Sequence, residues 1–276
     1  MPDKESSVTL LMIGDVVGEP GLQAITLGLP ALRSLYNADF IVVNGENAAS
    51  GFGLTAEALQ RILDAGADVV TTGNHIWEKR DFWPILDENP QVLRPANYPD
   101  DLPGRGLCSI EKNGLTWQVM NLQGREFMTP IDCPFKKLDS LLQTPQPEPS
   151  PSKGCISVLD FHAESTQEKE ALALYADGRI SVMAGTHTHV QTADERILPR
   201  GTAYITDLGM SGVLESVIGM AIPICLERNR TQIPLKMELA QGKGRIQGIC
   251  VTIDRTTKKS QAIQRFSFSP VIINPL

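Results

Sequence analysis

The chain has 276 residues, of which 42% are hydrophobic and 21% are charged, and its formal net charge is −7. These values are typical of a soluble globular protein with a sizeable core, and they argue against an extended nucleic-acid surface, which needs a basic face. A small phosphorylated substrate stays compatible with the acidic charge, because bound cations can invert the local field. No apolar run predicts a membrane span, and the polar N-terminus does not resemble a signal peptide.

The cysteines indicate the redox setting. They are odd in number, widely spaced and without a Cys-x-x-Cys pair: Cys108, Cys133, Cys155, Cys225 and Cys250. This usage is typical of reduced, structural thiols and predicts a cytoplasmic location.

The first third of the chain alternates predicted strands and helices. The predicted strands cover 8–13, 40–43 and 69–72, and the predicted helices cover 23–35 and 55–65. Thr55 is the expected N-cap of the second helix. Such alternation predicts βαβ units and a parallel sheet that is buried on both faces.

The rest of the chain predicts more strands, and we expect a single domain over 8–276 after a disordered lead at 1–7. Two runs, 107–110 and 115–120, flank an Asn-Gly pair and predict a hairpin. Residues 143–152 contain four prolines and predict an exposed loop within the domain, since ligand-type motifs lie on both sides of it. The further predicted elements are strands over 156–159, 180–184 and 203–206, a helix over 166–175, and antiparallel strands over 235–239, 249–253 and 262–268.

Polar residues that can bind metal follow five of these apolar runs. They are Asp15, Glu46, Asn47, Asn74, His75, His162, His187 and His189, and they include every histidine of the chain. Because ligands of open α/β sheets bind beyond the carboxyl ends of the strands, we expect these side chains to converge on one crevice. Mixed nitrogen and oxygen ligands favour borderline or hard divalent ions, and the absence of cysteine from these loops argues against a structural zinc site.

Single residues of this set leave alternatives open. His187 and His189 can reach one metal cluster only if the backbone turns there, because alternate strand residues face opposite sides. Asp15 would also serve as a helix cap, whereas Glu46, in a Gly-Glu-Asn loop, is best explained as a bridging carboxylate. Asn74 offers an amide ligand directly beside His75, an imidazole that can donate a proton.

Other catalytic schemes lack their motifs. The sequence has no Gly-x-Ser-x-Gly elbow, no Gly-x-Gly-x-x-Gly fingerprint and no Walker-type Gly-Lys-Ser/Thr. The Glu-x-x-His pairs of redox di-metal bundles are also missing.

Several blocks of the sequence resemble the signature motifs of the bacterial YmdB-like metallophosphoesterases, a branch of the calcineurin-like phosphoesterase superfamily. The blocks are Ile13-Gly14-Asp15-Val16-Val17-Gly18, Asn44-Gly45-Glu46-Asn47-Ala48-Ala49, Thr72-Gly73-Asn74-His75, Asn121-Leu122-Gln123-Gly124-Arg125, Asp160-Phe161-His162-Ala163-Glu164, the run from Gly185-Thr186-His187-Thr188-His189 to Asp194, and Thr206-Asp207-Leu208-Gly209-Met210. The resemblance implies an α/β fold, a four-layered α/β/β/α sandwich of mixed sheets, with a dinuclear metal site at the strand carboxyl ends.

The resemblance also implies a role for each residue of the set. In the family pattern Asp15 and His189 hold one metal with Asn47 close to it; Asn74, His162 and His187 hold the other; Glu46 bridges them; and His75 protonates the leaving oxygen. It implies a phosphodiesterase that acts on small phosphodiesters, including 2′,3′-cyclic nucleotides, with two divalent ions of iron or manganese. Val17 stands where the wider superfamily has a histidine, so the first metal has one nitrogen ligand fewer.

Two other functions are compatible with the same residues. One is a phosphomonoesterase, such as a nucleotidase or protein phosphatase. The other is a regulatory metal-binding protein with incidental turnover, which nothing in the sequence favours over catalysis. Trp77 would stack on a base or lie in the core, and the sequence leaves open whether the chain forms a homo-oligomer.

Overall fold

The computed structural model describes residues 6–143 and 154–270 of the chain. Its strands are β1 (Ser7–Ile13), β2 (Asp15–Val16), β3 (Phe40–Asn44), β4 (Val69–Thr71), β5 (Leu107–Lys112), β6 (Leu115–Gln123), β7 (Ile156–His162), β8 (Val182–Thr186), β9 (Arg196–Ile197), β10 (Ala203–Ile205), β11 (Met210–Ser211), β12 (Ile246–Asp254) and β13 (Ser260–Phe268). Its helices are α1 (Gly18–Tyr36), α2 (Ala56–Asp64), α3 (Trp83–Glu88), α4 (Pro134–Gln143), α5 (Thr166–Ala176) and α6 (Ile222–Thr231), and Asn74–Glu78 and Arg80–Phe82 are 3-10 helices.

The strands form two mixed sheets. The first sheet has the order β13-β12-β1-β3-β4, in which β1, β3 and β4 are parallel and β12 and β13 are antiparallel additions. The second has the order β5-β6-β7-β8-β10-β9, with parallel strands in the middle and an antiparallel strand at each edge. A small parallel pair joins β2 to β11. The predicted mixed α/β fold is therefore confirmed.

Three apolar clusters hold these sheets and helices together. One joins α1 and α2 to the first sheet. A second lies between the two sheets, where the rings of Phe40 and Trp117 stack with their centroids 4.5 Å apart. The third joins α4 and α5 to the second sheet, with Leu138 and Leu172 fully buried. The clusters thus stack helices, first sheet, second sheet and helices in that order.

Two local predictions are confirmed by the backbone. Thr55 caps α2, because its hydroxyl accepts a hydrogen bond of 3.3 Å from the amide of Ala58. β5 and β6 form the expected hairpin, and Asn113 and Gly114 in its turn have φ of 55° and 71°. Two positive φ values are what a two-residue hairpin turn of the favoured type requires.

The predicted strand over 235–239 is wrong. Within the described ranges this segment forms no ladder, and its only pairing is an isolated bridge from Leu239 to Met220. Leu239 instead packs over Gly18 and Gly51, where an added Cβ would lie 2.5 and 2.9 Å from its methyl carbons. An extended segment that buries alternate residues over a loop has the same pattern as a strand, which explains the error.

The boundaries and the number of helices also differ from the prediction. α1 begins at Gly18, five residues before the predicted start at 23. Its first turn, Gly-Glu-Pro-Gly, carries no apolar periodicity, although proline suits the first turn of a helix. α3, α4 and α6 were not predicted, and α6 buries only Cys225, so it has no apolar face to detect.

Some predictions fall on the edges of the described chain. Of the predicted lead, residues 1–5 lie outside the described residues, and Ser7 already belongs to β1. The predicted proline-rich loop lies outside them from residue 144 onward. All five cysteines are free. Among the described helices, none combines the length and the apolar character that crossing a membrane demands.

Candidate metal centre

The candidate site residues all lie where strands of the two sheets end. They are Asp15 after β1, Glu46 and Asn47 after β3, Asn74 and His75 after β4, His162 at the end of β7, and His187 and His189 after β8. Because β1, β3 and β4 are parallel, as are β7 and β8, each sheet delivers its residues to one edge. Hydrogen bonds then connect residues of the first sheet to those of the second.

A first group of side chains surrounds one nitrogen of His162. The Nε2 atom lies 3.0 Å from Glu46 Oε1, 3.1 Å from Asn74 Oδ1 and 3.0 Å from His187 Nδ1. A ring nitrogen carries at most one proton, which cannot satisfy three acceptors at once. The ligand atoms of Glu46, His162 and His187 lie within 4.8 Å of one another. The arrangement is therefore one that a shared cation would satisfy better than a proton.

A second group lies beside the first. Asn47 Nδ2 is 3.1 Å from His189 Nε2 and donates to Glu46 Oε1 over 3.2 Å. Asp15 Oδ2 accepts the backbone N–H of His187 over 3.2 Å. Glu46 contacts both His162 of the first group and Asn47 of the second. Its carboxylate thus lies between the two groups.

Two buried oxygens of the second group test whether a cation fits. Within the described part of the chain, Asp15 Oδ1 and Asn47 Oδ1 have no hydrogen-bond partner. Both residues are almost completely buried, and leaving such groups unpaired costs free energy. Carboxylate and amide oxygens are ligands that hard divalent ions take. The residues present therefore fit a bound cation.

The backbone turns at the two histidines, as the sequence required. His187 and His189 have φ of 105° and 65°, values that residues other than glycine rarely adopt. This turn lets His187 face His162 while His189 faces Asn47. Local strain of this kind persists only where surrounding contacts hold it.

Electrostatics favour a charged pair, Glu46 and His162, among these groups. Burial alone would raise the pKa of Glu46, but the charge and hydrogen bond of His162 outweigh it and lower that pKa to about 2. Burial would lower the pKa of His162, but Glu46 raises it to about 9. Burial, followed by the charge of His162, lowers the pKa of His187 to about 3. Burial raises the pKa of Asp15 to about 6 against the opposing charges of His189 and His162.

A hydrogen-bond chain fixes the other nitrogen of His162. Thr186 Oγ donates to Asp160 Oδ1 over 2.7 Å and lies 2.9 Å from His162 Nδ1. Since the hydroxyl proton is directed to Asp160, the hydroxyl accepts the N–H of Nδ1. Nε2 is therefore the nitrogen that can exchange its proton for a metal, an arrangement that orients metal-binding histidines generally.

The other two histidines among the candidate ligands, His187 and His189, have comparable partners. His187 Nε2 lies 3.2 Å from Glu164 Oε2. His189 Nδ1 donates to the carbonyl of Ile218 over 2.9 Å. In each ring one nitrogen is held by the protein, and the other faces the ligand groups.

Gly73 allows Glu46 and His162 to meet. A Cβ atom added to it would lie 2.2 Å from Glu46 Oε2 and 2.4 Å from His162 Nε2. Any side chain at this position would therefore displace both ligands.

His75 lies beside these groups without a described hydrogen bond from its ring to any of the seven ligand candidates. Its backbone N–H donates to Glu46 Oε2 over 3.3 Å. Its ring is partly exposed, with Nδ1 3.6 Å from Glu78 Oε1 and Phe52 edge-on at 5.1 Å between centroids. The ring nitrogen Nε2 has no hydrogen bond among the described residues.

The residues that support the ligands were given no role from the sequence: Gly73, Asp160, Glu164, Thr186 and Asp207. All five stand inside the motif blocks. Their membership in those blocks was the available signal, but no spacing rule connects them to the ligands that they contact.

Candidate nitrogen, carboxylate and amide ligands at the edge of two stacked mixed sheets are compatible with the class of metal-dependent α/β phosphoesterases. A model of the YmdB-like protein family matches residues 11–266. The chain belongs to this family, and the predicted resemblance is confirmed.

Three similar proteins agree with this membership. The 2′,3′-cyclic-nucleotide 2′-phosphodiesterase of Bacillus subtilis (strain 168) is 44% identical over 256 residues, which are 93% of this chain and 95% of that protein. A protein of Thermus thermophilus described as hypothetical has a crystal structure with a TM-score of 0.87 and 40% identity, covering 96% of this chain and 100% of that one. A novel phosphatase of Mycoplasma pneumoniae has a TM-score of 0.86 and 32% identity, with 95% and 94% covered. The predicted enzyme class, a phosphoric ester hydrolase, is confirmed at this level.

Proposed function

We propose that this chain is a dinuclear, metal-dependent phosphodiesterase that acts on small phosphodiesters, 2′,3′-cyclic nucleotides among them. The observation that carries the proposal is the convergence of Glu46, Asn74 and His187 on one nitrogen of His162. The relative from Bacillus subtilis, named for this reaction, supports the substrate class.

The two groups of side chains suggest how two cations would be held. Asn74, His162 and His187 would hold one, and Asp15 and His189, with Asn47 close by, would hold the other. Glu46 would bridge them, because its carboxylate contacts His162 on one side and Asn47 on the other. The chemistry that such a pair of divalent ions supplies when bound is a lowered water pKa and neutralised charge on the phosphoryl oxygens.

His75 is the proposed general acid. A phosphodiester has a poor alkoxide leaving group, which must take up a proton as it departs. Nδ1 of His75 faces Glu78, so Nε2 is the atom that would donate this proton. The backbone N–H of His75 donates to Glu46 Oε2, so the backbone keeps this residue next to the candidate ligands even when its side chain is changed.

Metal analysis and a substrate panel test the proposal together. The purified protein, loaded with iron or manganese, should contain two metal equivalents and hydrolyse 2′,3′-cyclic nucleotides faster than phosphomonoesters. Faster hydrolysis of the monoesters would favour a nucleotidase or phosphatase instead. Protein that binds one ion or none after loading would contradict the dinuclear centre.

Glu46→Gln tests the bridge. It keeps the shape of the side chain and removes the charge that both ions would share, so we expect loss of at least one metal and of activity with the fold retained. The matched control is Glu57→Gln, an exposed glutamate in the first turn of α2, which should behave as wild type. Full metal content with near-normal activity in Glu46→Gln would rule out the bridging role. Iron or manganese as the metal and the cytoplasmic location remain predictions.

A further inference from the structure

A lysine is completely buried beneath the candidate metal centre. Lys169 of α5 places Nζ 2.8 Å from Asp207 Oδ2, and both side chains have 0% exposure. A buried ion pair often contributes little stability relative to apolar residues of the same size, because desolvation offsets the attraction. Core stability alone therefore does not account for a buried ion pair at this position.

The carboxylate of Asp207 holds two backbone segments. Oδ2 accepts the N–H of Thr188 over 3.0 Å and its hydroxyl over 2.8 Å. Oδ1 accepts the N–H of Gly209 over 2.9 Å. The carbonyl of Gly209 in turn accepts the N–H of Asp15 over 3.2 Å. One carboxylate thus connects to three candidate ligands through their backbone.

Thr188 is the middle residue of the strained turn. It separates His187 and His189, whose positive φ values need surrounding contacts to persist. Among the described hydrogen bonds of Thr188, both the amide and the hydroxyl donate to Asp207. Asp207 therefore holds the residue between the two histidines, in addition to the contacts that each histidine makes itself.

Lys169 supplies the counter-charge. Asp207 is a fully buried carboxylate whose charge also acts on Asp15, so an uncompensated charge there would be costly. The stem of Lys169 reaches it past Gly185, where an added Cβ would lie 2.9 Å from the Cδ and Cε atoms. The glycine before the histidine turn therefore leaves the space that the lysine occupies.

We propose that Lys169 and Asp207 are positioning residues of the metal centre: Asp207 anchors the His187–His189 turn and the Gly209 segment, and Lys169 neutralises it. The inference rests on the proposed function, since it assigns the anchored residues as metal ligands. The anchoring of Thr188 and Gly209 by Asp207 does not itself require a bound metal.

Asp207→Asn is the primary variant. Asparagine offers one acceptor oxygen, and its NH₂ must face either Thr188 or Gly209, both of which present an N–H. One backbone anchor is lost in either orientation. Because removing one partner of a buried ion pair is strongly destabilising, the double variant Lys169→Met/Asp207→Asn accompanies it, with both charges removed together.

Hydrogen–deuterium exchange in metal-free protein tests the anchoring directly. We expect wild type to protect the amides of Thr188 and Gly209, and both variants to exchange at least one of them about tenfold faster or more. The control is Lys112→Met, which removes the lysine that pairs with Asp68. Asp68 precedes β4, whereas Asn74 follows the other end of that strand. This variant should leave the exchange of the turn unchanged. Wild-type exchange of Thr188 at the rate of an unstructured peptide would overturn the inference without any variant.

Titration with Mn²⁺ tests the consequence for the ligands. Loss of supporting contacts around metal ligands typically costs 10–100-fold in affinity, so we expect at least about tenfold weaker binding in the folded variants. Wild-type affinity and wild-type exchange in both variants would overturn the inference and leave the proposed function intact. If wild type binds no metal, the proposed function fails, and with it the assignment of the anchored residues as ligands.

Discussion

Gly73→Ala is the sharpest single perturbation of the candidate centre. The added methyl carbon would lie 2.2 Å from Glu46 Oε2, 2.2 Å from His162 Cδ2 and 2.4 Å from His162 Nε2. The φ of Gly73 is −156°, which any residue adopts, so the effect comes from contact and not from backbone strain. Both neighbours are fully buried candidate ligands with little freedom to move aside.

The size of the effect follows from the distances. The favourable separation of non-bonded heavy atoms is about 3.5 Å, so each of the two candidate ligands would have to move away from the methyl carbon by about 1.3 Å. Metal sites tolerate distance errors of about 0.2 Å, and a misplacement of about 1 Å costs roughly 100-fold in rate. We therefore expect loss of metal and at least a roughly 100-fold loss of phosphodiesterase activity. Overpacking should lower stability by about 1–3 kcal/mol, which leaves the protein folded.

The measurement combines metal content, rate and urea unfolding on the same preparation. The matched control is Gly154→Ala, where the nearest atom to an added Cβ is Lys258 Cγ at 4.0 Å. This variant should keep metal, rate and stability. Two metal equivalents and a wild-type rate in Gly73→Ala would refute the placement of Glu46 and His162 as neighbouring ligands.

Three further variants test the proposed general acid, the hydrogen bond to His162 Nδ1 and the apolar core. His75→Ala should keep both metals and lose about 10²–10⁴-fold in rate on alkyl phosphodiesters but much less on nitrophenyl diesters, whose leaving group needs no proton; loss of a metal would mean that His75 is a ligand. Thr186→Val removes the hydroxyl beside His162 Nδ1 and should weaken Mn²⁺ binding about 10–100-fold by titration, whereas unchanged affinity would show that the ring needs no such partner. Phe40→Ala removes the ring stacked on Trp117 and should cost about 3–5 kcal/mol in urea unfolding with metal content unchanged; a loss of metal would show that the core and the centre are coupled.

The positions of the candidate ligands were readable from the sequence because they depend on a local rule. A polar residue directly after an apolar parallel strand lies at the ligand-binding edge of the sheet, and this rule alone gave Asp15, Glu46 and His162. The turn at His187 and His189 was also readable, since two histidines at alternate strand positions can meet one cluster only through a turn. The structure has both features.

The supporting residues were not readable because their role depends on partners far away in the chain. Asp207 acts on Thr188 through a backbone amide, and its counter-charge comes from α5. Nothing in the local sequence of Lys169 distinguishes it from an exposed helical lysine. The strand predicted over 235–239 failed for a related reason, since an alternating pattern reports burial and not pairing.

The distribution of buried charge explains why an acidic protein can take an anionic substrate. Asp207 is neutralised by Lys169, and Asp160 accepts hydrogen bonds from three neutral side chains, so neither needs a cation. Glu46 forms no ion pair with a described lysine or arginine and lies instead against His162, and Asp15 Oδ1 has no hydrogen-bond partner in the described chain. The protein therefore leaves two carboxylates for cations. In the proposed function, two divalent ions on two carboxylates would make the centre formally positive, which would attract a phosphodiester despite the net charge of −7.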